Sequence, residues 1–148
     1  MSYSENVSKK LNELLEKNYD AEKGYKLAAE KVNNQRLKSF FSARAQERYD
    51  FGHELKSEIS NFGEAPDKGT SIAGDLHRGW MNLKASLSGD KDEAVLEEAI
   101  RGEKAAVEEY EEILKDSEIP ASTGNVLMKQ KNAIVASLNE VKALEDIA

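Results

Sequence analysis

Four stretches of this chain, each of roughly 26 to 30 residues, repeat their apolar positions every three or four residues, and that period constrains the fold more than any other feature. Val7, Leu11, Leu14, Tyr25, Ala28 and Val32 mark the first stretch, and Leu37, Phe41, Phe51, Leu55 and Phe62 the second. Leu96, Ala99, Ala106, Tyr110 and Ile113 mark the third, and Leu127, Ile134, Leu138, Val141 and Leu144 the fourth. At about 100° per residue each set falls on one helical face, so each helix must bury that face against others. A shorter stripe, Ile72, Leu76, Trp80, Leu83 and Leu87, predicts one more helix between the second and third. Helices are expected at about 3–32, 35–61, 71–87, 91–116 and 123–147. Ser2 with Glu5 and Asp90 with Glu93 have capping-box spacing, while Gly63, Pro66 and Pro120 mark breaks.

Helices of that length span about 40 Å at 1.5 Å per residue, which lets all four lie side by side. Short links at residues 33–34 and 117–124 make two antiparallel pairs, and the long link between them returns the chain along the bundle. The expected fold is all-α, a single domain over residues 1–148: a ferritin-like four-helix bundle with one crossover carrying the additional short helix. With only 2 Pro and no cysteine, the chain has few helix breakers, and disulfides, thiolate metal sites and cysteine nucleophiles are ruled out. No apolar run approaches the ~18 residues of a membrane span, and the first residues lack a signal-peptide core, so a cytoplasmic location is expected. Of the net charge of −7, much comes from the stretch 90–118, with 12 acids against 4 bases. Such a face repels nucleic acid and anionic lipid; solvation is its simplest role, and no nucleic-acid or membrane partner is expected.

Function must come from the polar residues that interrupt the apolar stripes. Asn18 and Glu22 do so in the first helix, Arg44 and Arg48 in the second, Glu103 in the third, and Gln130 and Ser137 in the fourth. A di-metal carboxylate centre in such a bundle takes glutamates from two helices and Glu-x-x-His pairs from the other two. Glu22 and Glu103 satisfy the first half of that pattern, with Glu47 as the nearest further carboxylate; these three are the candidate ligands for iron or manganese. The second half is missing, because the fourth helix has no Glu-x-x-His, and Glu47 and Asp50 point away from their helix's stripe. Antiparallel helices joined near residue 33 bring to one level residues whose numbers sum to about 66. That pairs Glu22 with Arg44, Asn18 with Arg48 and Tyr25 with Phe41. A guanidinium stays protonated and offers only donors, so it is no metal ligand. The expected core is therefore metal-free, with a charge-balanced layer of Glu22, Glu103, Arg44 and Arg48 and further hydrogen bonds from Asn18, Tyr25, Tyr110 and Gln130.

The remaining candidates carry less chemistry. His53 lies on the outer side of its helix, whereas His77 beside Trp80 on the short helix forms a candidate partner surface. No serine stands in a nucleophile arrangement with a histidine and an acid, and no glycine falls in a phosphate-binding pattern. Phe40, Ile59, Met81 and Leu27 lie partly outside the stripes, in positions compatible either with burial by the short crossover helix or with a homodimer face.

The stretches Asp20-Ala-Glu-Lys-Gly-Tyr25, Leu76-His-Arg-Gly-Trp80 followed by Met-Asn-Leu-Lys84, and Arg101-Gly-Glu-Lys104 resemble a bacterial family of four-helix-bundle proteins of unknown function in the ferritin-like superfamily. The resemblance covers nearly the whole chain. It implies a ferritin-like fold in a bacterial cytoplasm and brings no settled activity with it. On residues and resemblance together, the expected function is that of a non-catalytic structural or interaction protein, a stress-response scaffold among the roles it could fill, without a cofactor. The alternative is a di-iron or di-manganese protein for iron handling or oxidation, built on Glu22, Glu47 and Glu103.

Overall fold

The computed structural model describes residues 2–66 and 91–147, and its helices are α1 (Tyr3–Lys31), α2 (Gln35–Asn61), α3 (Lys91–Leu114) and α4 (Ala121–Ile147). Among the described residues there is no strand, and the fold is all-α. The short helix expected at residues 71–87, with His77 and Trp80, lies outside the described residues.

Local chemistry sets the helix ends. Ser2 caps α1, its Oγ accepting from the Glu5 amide at 3.2 Å. Asn34 caps α2 by accepting from the amides of Arg36 and Leu37 at 2.8 and 3.2 Å, which serves two of the donors a helix start leaves unpaired. α2 ends in a Schellman turn: the Glu64 amide reaches Ile59 O and the Gly63 amide reaches Ser60 O. That turn needs a left-handed residue, and Gly63 supplies it at φ 77°.

α1 packs chiefly on α2 and α3 chiefly on α4, giving two hairpins joined through α1 against α3 and α2 against α4. The hydrogen bonds fix the directions. Asp92, at the start of α3, accepts from the amides of Asn33 and Asn34 in the α1–α2 turn at 2.8 and 3.3 Å. Near the other end Lys10 pairs with Asp116, and in between Lys17 pairs with Glu109 at 2.9 Å, so α1 and α3 are antiparallel. α2 consequently finishes at the opposite end of the bundle from the point where α3 starts, which is single-crossover topology rather than up-down-up-down.

The buried apolar residues form two clusters. One holds Ala21, Tyr25, Ala28, Phe41, Ala45, Leu96, Ala99 and Val141 among others, towards the α1–α2 turn. The other holds Leu11, Leu14, Leu15, Leu55, Ile59, Leu127 and Ile134, towards the far end. Around the level between them lie the buried polar side chains of Asn18, Arg48, Glu103 and Ser137, with Gln130 and Tyr110 reaching in from the far side.

Candidate functional site: a buried polar layer

Arg48 is the centre of this layer. Its side chain is 2% exposed, and its guanidinium donates to Asn18 Oδ1 on α1 at 2.9 Å and to Glu103 Oε1 on α3 at 2.5 Å. Glu103 is equally enclosed, at 3% side-chain exposure, so this ion pair is closed off from water. Burial disfavours the charged guanidinium, but the Glu103 carboxylate beside it, with the hydroxyls of Tyr25 and Tyr110, outweighs that penalty and raises the Arg48 pKa.

From Arg48 the hydrogen bonds run in one direction through all four helices. Asn18 accepts from Arg48 on Oδ1 and donates through Nδ2 to the Tyr110 hydroxyl at 3.0 Å. Tyr110 donates to Gln130 Oε1 at 2.7 Å, and Gln130 Nε2 donates to Glu54 Oε1 at 3.0 Å and to Phe51 O at 3.3 Å. A cation stands at one end of this chain of neutral groups and a carboxylate at the other, an arrangement in which each bond polarises the next. Burial, the largest cause, pushes the Tyr110 hydroxyl up to about 12 despite the opposing pull of Arg48. Tyr25 is raised as well, first by burial and then by Glu103. Its ring stacks on Phe41 with centroids 5.9 Å apart, and Glu103 and Ser137 are its polar neighbours.

The sum rule thus holds where Asn18 meets Arg48 and where Tyr25 meets Phe41. It misplaces Glu22 and Arg44, which do not pair with each other: Glu22 binds Lys26 at 2.8 Å, one turn on along α1, and Arg44 binds Glu47 at 3.5 Å within α2. The reason is the rotation of each helix about its axis. Ala21 and Ala45 are buried at that level and fill the seam, so Glu22 and Arg44, each next to one of them in sequence, are turned about 100° aside. Arg44 instead lies over the Phe40 ring at 5.3 Å. The buried layer holds one close cation–carboxylate pair in place of two.

Glu54 interrupts none of the apolar stripes, and only the approach of α4 makes it the acceptor for Gln130. Glu47 is half-buried, and that burial raises its pKa despite Arg44 and Arg48 nearby. His53 is exposed, its ring edge-on to Tyr49 at 4.5 Å.

The residues do not fit a di-metal centre. Glu22, Glu47 and Glu103 are drawn to three different cations, Lys26, Arg44 and Arg48. Among the described residues no three His, Asp or Glu side chains form a group able to hold a metal ion. A hard cation needs converging oxygen acceptors, whereas the centre of this layer presents guanidinium donors.

A single-crossover four-helix bundle is the ferritin-like fold, and solved structures agree on it. The chain is similar to a conserved hypothetical protein, rv2844, from Mycobacterium tuberculosis, with a TM-score of 0.78 at 9% identity over 98% of this chain and 94% of that one. It is similar to the F47E mutant of Dps1 from Mycobacterium smegmatis, with a TM-score of 0.80 at 15% identity over 98% and 99%. It is also similar to a ferritin-like, diiron-carboxylate protein from Bacillus anthracis str. Ames, with a TM-score of 0.73 at 20% identity over 98% and 99%. Within this class the chain belongs to the family described as Domain of unknown function (DUF2383), which matches residues 6–116. No curated protein matches it in sequence. No helix among the described residues is long and apolar enough to cross a membrane.

Proposed function

We propose that this chain is a non-catalytic ferritin-like bundle whose polar core is metal-free and serves to fix helix register, leaving its surface for a structural or interaction role. The observation that carries this reading is the Arg48 guanidinium, shut from water and shared between Asn18 and Glu103. A buried ion pair with a directional amide and hydroxyl chain adds little net stability. Sliding any helix by one turn, however, breaks several of its bonds at once, so it selects one register. The alternative of iron handling or oxidation requires Glu22, Glu47 and Glu103 around one point, and each already has a cationic neighbour elsewhere.

The same reading assigns the protein to the cytoplasm. Light scattering distinguishes a single bundle from a homodimer. The decisive experiment is elemental analysis of protein purified without chelators, followed by titration with Fe(II) and Mn(II) under argon. The expected result is no stoichiometric metal and no saturable binding. Retention of about two equivalents per chain, the content of a di-metal centre, overturns the reading.

A further inference from the structure

Two oxygens from different helices, Asn18 Oδ1 on α1 and the Glu103 carboxylate on α3, converge on one guanidinium delivered from α2. Oxygens so arranged are what a cation site consists of; here the cation is attached to the chain. Beside it lies a cavity of about 160 Å³ between α1 and α3, lined by Leu14, Arg48, Gly102, Ala105, Ala106 and Tyr110 among others. The small side chains of Gly102, Ala105 and Ala106 on α3 leave this seam loosely filled. Arg48 thus forms part of the wall of this cavity, whose other lining residues include Lys17, Arg101 and Glu109.

We propose that Asn18 and Glu103 form a cation-binding site for a planar guanidinium, permanently occupied by Arg48, so that this bundle carries its core cation covalently. The proposal rests on the metal-free reading and goes further, assigning the site a ligand class and a mode of occupancy. A guanidinium suits it because its rigid planar fork holds N–H donors at fixed angles towards both acceptors, whereas an ammonium is a compact point charge and a bare metal ion has no N–H to donate. For the native protein, the core cation cannot be chelated, exchanged or changed in oxidation state. Its thermal unfolding should accordingly be unchanged by EDTA or Mn(II).

The test is chemical rescue. In Arg48→Ala the space left by the side chain joins the neighbouring cavity, opening a path for a small free cation. The variant is expected to unfold about 10 °C below wild type, since one buried charge has lost its partner. Millimolar methylguanidinium, far below denaturing levels, should restore several degrees along a saturating curve, as a ligand of the folded state does. Equal concentrations of methylammonium should not, and neither wild type nor Arg48→Ala/Glu103→Gln should respond. If Arg48→Ala accumulates unfolded, refolding yield with and without methylguanidinium supplies the same readout. A destabilised variant that methylguanidinium does not rescue overturns this inference and leaves the structural reading of the layer intact. An Arg48→Ala protein as stable as wild type overturns both, and metal uptake by wild type overturns the metal-free reading together with this inference, which rests on it.

Discussion

Replacing Arg48 and Glu103 singly and together by methionine tests the centre of the layer quantitatively. Each side chain is almost wholly enclosed, at 2% and 3% exposure, so either single change leaves one charge in the core without its counter-ion. Breaking a buried pair in this way costs about 3–5 kcal/mol. For a chain of this length that is on the order of 10–15 °C in Tm. Arg48→Met also deprives Asn18 Oδ1 of its donor, which adds about 1–3 kcal/mol if no water replaces it. The double variant removes both charges and restores apolar volume, a change that elsewhere ranges from neutral to favourable. With Asn18 still unsatisfied, its net cost should be about 0–3 kcal/mol. The coupling between the two sites is then roughly 3 kcal/mol or more. Urea unfolding of the four proteins, with m-values compared to verify equal surface exposure, measures it. Single variants losing under about 1 kcal/mol, as surface ion pairs do, would refute the claim that this pair is sealed from water.

Three further outcomes follow from the same geometry. Glu22→Gln should change stability by less than about 0.5 kcal/mol in urea unfolding, because the ion pair of Glu22 is an i,i+4 contact within α1 to the exposed Lys26. Glu47→Gln should stabilise the protein at pH 7. Burial raises the pKa of Glu47, so the folded state binds the extra proton and wild-type stability falls as pH rises through the range above the usual glutamate value; the Tm gap should close below about pH 4. Tyr110 is raised to about 12 and Tyr25 is raised too, so two of the five tyrosines should stay protonated above pH 10 for as long as the fold survives. Stability should decline above that pH, as the unfolded chain loses those protons first. Absorbance at the phenolate band, followed beside circular dichroism, shows whether their ionisation coincides with unfolding.

Periodicity alone decided most of the architecture. An apolar residue every three or four positions over such lengths has no stable arrangement except helices packed side by side, and the two short turns make the hairpins antiparallel. Numbering from the first turn was enough to set Asn18 against Arg48 and Tyr25 on Phe41, since opposite residues of a helical hairpin keep a constant sum. Which member of a neighbouring pair faces inward was decided only in three dimensions. Ala21 or Glu22, and Ala45 or Arg44, lie one residue apart, and the rotation of α1 and α2 about their axes buried the alanines and left Glu22 and Arg44 partly enclosed. The link from Tyr110 through Gln130 to Glu54 depends likewise on how the two hairpins dock. The local pattern of a helix fixes its buried face to within a residue, whereas hydrogen bonds between helices are set by rotations and offsets that arise when the whole core closes.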